Sequence, residues 1–205
     1  MKKVILFIVV LIGAFCVYWF ILRTKSASAH DDPKQAPIAL KKHSEAFNTS
    51  IDRTIDAYLA MKDAFIESDT NAIKQNAGRF IQMLDGIPLA ELKKDTAMIF
   101  ETATQSISDI KANALSLISQ ASIDEMRKDF SMVTEMMYPG FFKTINYEGK
   151  TLYLEHCPMA FGDDHGANWL SGSGEIVNPY LGKVHPKFKA TMIHCGEVMD
   201  SVTAQ

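Results

Sequence analysis

Between residues 38 and 137 apolar side chains recur every three or four positions, the spacing that lines one face of an α-helix. Phe47, Ile51, Ile55, Tyr58, Leu59 and Phe65 mark a first face, and Ile73, Ala77, Phe80, Ile81 and Leu84 a second. Leu92, Ile99, Ala103, Ile107, Ile110 and Ala114 mark a third, and Met126, Phe130, Val133 and Met137 a fourth. The punctuation agrees with four helices. Asp69 or Thr70 is placed to cap the second and Gly86 to stop it. Pro88 suits the first turn of the third. Ser122 with Glu125 forms a capping box for the fourth, which Pro139-Gly140 ends. Gly78, Gly86 and Pro88 are the only glycines or prolines in this stretch, so the connections are short. Such helices bury their stripes most simply as an up-down bundle. The expected fold class is mainly α: an up-down bundle of about four helices, followed by a loop-rich C-terminal segment containing short strands. Met126, Met132, Met136 and Met137 read as packing for this bundle rather than as thioether ligands, because methionine fills irregular gaps in cores.

After Pro139 the helical spacing stops. Residues 151–156 (TLYLEH) read as a short strand, and Gly, Asn, Asp and Pro punctuate the chain beyond it. Trp169, Phe161 and Tyr180 are expected to form a small apolar cluster. Asn178-Pro179-Tyr180 with Gly182 reads as a rigid turn, and His165 and His185 as exposed loop residues.

The opposite end of the chain is apolar in a different way. Residues 4–22 carry no charge and follow Lys2 and Lys3. At about 1.5 Å of helix rise per residue, such a run is just long enough for a bilayer core. Ala27-Ser28-Ala29 offers a small-x-small cleavage site, while Arg23 and Lys25 behind the run favour an uncut anchor. Residues 1–29 are therefore an export signal or membrane anchor, and 30–37 (HDDPKQAP) a polar tether. Residues 38–205 form one helical-bundle domain with a metal-binding segment at 151–200. Either fate of the first segment puts the domain in the periplasm or cell envelope, touching the membrane only through its N-terminus.

Charge removes one class of partner. The 205 residues carry a net charge of -3, and no basic excess offers phosphates a counter-charge, so nucleic acid is not expected. Residues 1–29 hold four basic and no acidic side chains, which leaves 17 basic against 24 acidic in residues 30–205, a net of -7. No dinucleotide-type glycine loop, P-loop, H-E-x-x-H, G-x-S-x-G or C-x-x-C occurs, and no nucleophile–base pair stands at recognisable spacing. An enzyme is not expected.

The chemistry-bearing residues gather late. Cys157, Cys195, Met159, Met192 and four of the six histidines lie between residues 156 and 195. On an extended segment alternate residues share a side, so Cys157 and Met159 can present thiolate and thioether together. Met192 and His194 share a side, with Cys195 opposite unless a turn intervenes, and Gly196 makes a turn plausible. Cys157, Met159, Cys195 and one of Met192 or His194 make a soft donor set of the kind that selects Cu(I). Zinc, through His156, Cys157, His194 and Cys195, ranks lower, because structural zinc sites space paired ligands by two to four residues. The competing reading is a Cys157–Cys195 disulfide, which an exported protein can keep. Composition alone slightly favours the bridge.

Cys157-Pro158-Met159-Ala160, Trp169-Leu170-Ser171, Ile176, Asn178-Pro179-Tyr180 with Gly182, Met192 and Cys195-Gly196-Glu197-Val198 together resemble the motif of an uncharacterised envelope domain. That family occurs alone behind an export signal and also fused to periplasmic adaptor subunits of copper and silver efflux pumps. Tyr58-Leu59, Lys62-Asp63-Ala64, Ser68-Asp69, Ala77, Arg127 and Phe130 resemble its helical part, so the resemblance covers roughly residues 47–200. The Cys-Pro-Met triplet also resembles short heavy-metal-binding modules of efflux adaptors. The resemblance implies a helical bundle with a copper-handling loop, in which Cys157, Met159, Met192 and Cys195 match the motif and His156 and His194 flank it. It implies a Cu(I) chaperone or sequestering protein with efflux-pump components as partners. Many relatives pass directly from the Asn-Pro-Tyr turn to the Met-Cys segment, whereas this chain interposes residues 183–191 (KVHPKFKAT).

Overall fold

A computed structural model describes residues 42–162 and 165–202. The N-terminal signal or anchor and the tether lie outside the described residues. Among those described, no helix is long and apolar enough to cross a membrane.

Each of the four helices begins where a side chain can take over an unpaired backbone N–H. Ser44 accepts from the amide of Phe47 and opens α1, Glu45–Glu67. Asp69, rather than Thr70, caps α2, Thr70–Asp85, by accepting from Asn71 and Ala72. Thr96 caps α3, Ala97–Ser119, through the amide of Ile99. Ser122 caps α4, Ile123–Glu135, through the amide of Glu125. Only half of the expected capping box forms, because the Glu125 carboxylate pairs with Lys128 at 2.7 Å instead.

Two helix ends differ from expectation. Pro88 does not open α3; it precedes a separate 3₁₀ segment, Leu89–Lys94, that buries Leu92, and the chain restarts at the stronger Thr96 cap. Nor does Pro139-Gly140 end the helical backbone. The path breaks at Tyr138 (φ -132°, ψ 132°), and a further turn, Phe142–Thr144, follows. Burial of Phe141, Phe142 and Ile145 explains why the chain stays against the bundle there.

The four apolar stripes meet in one core. Phe47, Tyr58, Phe65, Phe80 and Phe130 are fully enclosed, and Phe130 lies 4.8 Å from Phe65 and 5.2 Å from Tyr58, ring centroid to ring centroid. Met126 and Met137 are buried, Met136 is half-buried and Met132 is exposed, so the fourth stripe is narrower than its methionines suggest.

A three-stranded antiparallel sheet caps this bundle in the order β2-β1-β3. Its strands are β1, Leu152–Cys157; β2, Ala167–Ser171; and β3, Glu197–Val202. β1 begins one residue later than its sequence pattern suggests and reaches Cys157. β3 is almost wholly exposed, so it carries no alternation by which it could be recognised. β2 packs against α4 and α1.

The joint between sheet and bundle is a buried hydrogen-bond chain. The Leu170 amide donates to the Tyr58 hydroxyl at 3.1 Å. Thr134 donates its own hydroxyl proton to the Phe130 carbonyl at 3.2 Å, so the 2.6 Å contact between Tyr58 and Thr134 has Tyr58 as donor. Burial pushes the Tyr58 hydroxyl well above its ordinary range, so it stays protonated and able to donate. Tyr58→Phe leaves the Leu170 amide without a partner in the interior. It should destabilise the protein by about 1–3 kcal/mol in urea unfolding, and an unchanged unfolding midpoint would refute the chain.

Candidate functional site

Cys157 is the last residue of β1 and is completely buried; Cys195 lies just before β3 and is partly exposed. Both are free thiols, and their Sγ atoms stand 2.9 Å apart although 38 positions separate them. Three features bring Cys195 to this place. Its amide donates to the Met192 carbonyl at 3.0 Å, closing the turn that Gly196 suggested. Its carbonyl accepts from the Asn178 side chain at 2.7 Å. Gly196 then passes β1 so closely, at φ +146°, that a Cβ would lie 2.7 Å from the His156 carbonyl oxygen.

Asn178 is the organising residue of this region. It is fully buried, and its amide donates to Ile193 at 2.8 Å. Its side-chain oxygen accepts from Tyr180 and Leu181, and its side-chain nitrogen holds Cys195. The rigid turn expected at 178–182 is therefore also the bracket of the cysteine. Tyr180 lies 5.3 Å from Phe161 and 6.0 Å from Trp169 between ring centroids, which is the apolar cluster expected from sequence, now packed on Phe130.

The remaining candidates are placed differently from one another. Met159 does not continue the strand beside Cys157; it sits in the turn beyond it, where its carbonyl accepts from Gly162, and it is half-buried against the core. Met192 is likewise half-buried and packed against the core. Asn168 donates its side-chain N–H to Glu135 at 2.7 Å, so its oxygen is the acceptor for His156 Nδ1 at 2.8 Å. His194 donates Nδ1–H to the Ile176 carbonyl at 2.8 Å. Each ring is thus tied through Nδ1 to a group outside the thiol pair. Among the described residues no group of three or more His, Cys, Asp or Glu side chains is arranged to hold a metal ion, so the four-residue zinc set is not assembled.

Two thiolates on one metal at bonds of about 2.3 Å and a tetrahedral angle stand about 3.8 Å apart. A covalent bridge needs about 2.05 Å. The observed 2.9 Å lies between the two. Burial, followed by the neighbouring Cys157 thiol, pushes the Cys195 thiol up to about 11. The Cys195 sulfur is therefore held as a protonated, weakly nucleophilic thiol.

Two further residues escape the sequence pattern. Glu155 faces inward from β1 on the same side as Cys157, is completely buried, and has no hydrogen-bond partner on either carboxylate oxygen among the described residues. Its cross-strand neighbour is Trp169, whose indole N–H lies near the carboxylate but without the geometry of a full hydrogen bond. Period-two alternation from Cys157 back to Glu155 is the signal that could have found it. His185, expected to be an exposed loop residue, is half-buried: its Nδ1 accepts from the amides of Lys187 and Phe188, both at 3.2 Å, and its ring stacks on Phe188.

Residues 54–147 match a family described as protein of unknown function (DUF3347). The match runs from within α1 to just short of β1, so the cysteine-bearing segment lies beyond it. No curated protein and no solved structure matches the chain.

Glu155 makes the domain sensitive to pH. Burial raises its carboxyl from 4.5 to about 7, partly offset by the Trp169 indole and Lys62. The folded state therefore holds a proton that the unfolded chain has lost, and stability falls as pH rises from about 4.5 to about 7, with a slope of at most about 1.4 kcal/mol per pH unit. Urea unfolding between pH 5 and 8 should show this slope in the wild type and a flatter curve in Glu155→Gln. Parallel curves would refute the assignment.

Proposed function

We propose that the protein is a non-catalytic metal-binding protein of the cell envelope that holds Cu(I) between Cys157 and Cys195, for sequestration or transfer linked to copper or heavy-metal efflux. The observation that carries this reading is the 2.9 Å approach of two free thiols from distant segments. Met159 and Met192 are the additional soft donors on the same two segments, and His156 and His194, hydrogen-bonded through Nδ1, rank behind them because imidazole is a harder donor than sulfur for Cu(I). The N-terminal apolar run supports an exported location, and the resemblance in the cysteine segment supports the link to efflux.

The chemistry asks little of the fold. Cu(I) accepts two or three sulfur ligands in preference to nitrogen or oxygen, and binding must displace the thiol protons. Burial of Cys157 excludes water from the inner sulfur, while the partly exposed Cys195 gives access from outside. Competition titration of the reduced full-length chain against a Cu(I) chelator should give one Cu(I) per chain. Its X-ray absorption should show sulfur ligation, and its apparent affinity should rise about tenfold per pH unit for each thiol proton released. Cys157→Ser should lower the affinity by about a hundredfold or more. Ligation without sulfur, or an unchanged affinity in that variant, would sink the reading.

The same proximity supports a second reading, a structural Cys157–Cys195 bridge without metal. In the loop-entropy model it would stabilise the fold by about 4 kcal/mol. A mass deficit of two hydrogens that resists mild reductant, together with no copper uptake after full reduction, would favour it.

A further inference from the structure

We propose that the thiol pair is a redox gate for its metal, closed by thiol–disulfide exchange with a disulfide oxidant, in which Cys195 is the entry sulfur and Cys157 the resolving one. Closing the bridge removes both copper ligands at once, so the inference rests on the Cu(I) reading of the dithiol. The observation that carries it is the contact, at 2.9 Å, of a completely buried free thiol with a partly exposed one.

The two sulfurs differ in access and in support. Cys157 ends β1, and its pairing with Ala167 fixes its place in the interior. Cys195 belongs to no helix or strand. It ends three successive turns, 188–191, 190–193 and 192–195, and the Asn178 side chain holds its carbonyl. An incoming disulfide therefore meets Cys195 first. Reactive thiols of redox proteins commonly have a second thiol close by to resolve the mixed disulfide. Here that relation is hidden in the sequence by a separation of 38 positions and restored by the fold. The third cysteine, Cys16, lies in the N-terminal apolar run.

The steps balance with the oxidant as the only added reactant. The Cys195 thiolate attacks one sulfur of R–S–S–R; a Cys195–S–R bond forms and one RS⁻ leaves. The Cys157 thiolate then attacks the Cys195 sulfur, the Cys157–Cys195 bond forms and the second RS⁻ leaves. The protons released by the two cysteines end on the two departing thiolates. The pair loses two electrons and the incoming disulfide gains them, while copper remains Cu(I) and is released because a disulfide offers it no thiolate. Contact between the sulfurs makes the second step intramolecular, which shortens the life of the mixed disulfide. A dithiol reductant runs the sequence in reverse and reopens the site.

Oxidised glutathione is the probe, and peptide mapping of the full-length chain locates each adduct and keeps Cys16 apart. In metal-free Cys157→Ser, one glutathionyl group should remain on Cys195. In Cys195→Ser, the buried Cys157 should carry at least about tenfold less. Circular dichroism checks that both variants fold, and the wild-type arms need no substitution. Wild type should lose two hydrogens, hold no adduct at either position, and regain both thiols with dithiothreitol. Its Cu(I) uptake, titrated against a chelator, should fall at least about tenfold on oxidation and return fully on reduction. Equal adducts on the two single cysteines would overturn the order of attack. A wild type that stays reduced, or keeps a stable adduct on Cys195, would overturn the resolving role. Oxidised wild type that binds copper as well as the reduced chain would overturn the gate. Failure of the reduced wild type to bind Cu(I) would overturn the copper reading itself, and the gate with it.

Discussion

The arrangement of this domain depends on one buried hydroxyl. Tyr58 sits in the middle of α1, takes the amide of Leu170 from β2 and gives its own proton to Thr134 of α4. Apolar contact alone would hold sheet and bundle together without specifying their register, because it is non-directional. The hydrogen-bond chain specifies it. Once β2 is placed, β1 pairs with the whole of it, from Tyr153–Ser171 to Cys157–Ala167, and Cys157 is buried.

The second cysteine is positioned by a different device, also centred on one buried polar side chain. The Asn178 side chain satisfies three backbone groups, on Tyr180, Leu181 and Cys195, and its own amide and carbonyl pair with Ile193 and Gly182, in a segment with no helix or strand of its own. A loop carrying so many enclosed polar groups is tolerable only if each is paired. The close passage of Gly196 against β1 completes the approach. Precision at the thiol pair therefore comes from regular pairing on one side and from an asparagine bracket on the other.

The helical half was legible because its determinants are local. Asp69 and Ser122 each stand at a helix start, and the apolar stripes lie where the core forms. Reading failed where two local signals competed. Pro88 permits a helix start, but Thr96 provides a better one; Pro139 discourages a helix, but Phe141 and Phe142 behind it have a core to enter. In the C-terminal part the candidate residues could be named but not positioned, because their geometry depends on long-range contacts. A strand pattern carried on from Cys157 to Met159 misses the turn between them. The loop histidine His185 gave no sign that it organises its own turn. Exposed β3 has no pattern to read, since its place is set by pairing with β1 rather than by burial.

Trp169 lies where these lines of construction cross. Its ring is completely enclosed, and its edge borders Gly196, immediately beyond Cys195. The only other tryptophan is Trp19, within the N-terminal apolar run. The folded domain thus carries a single indole, shielded from water and packed beside the glycine that follows Cys195. Its emission therefore reports the packing of the sheet beside Gly196, free of background from any other indole in the domain.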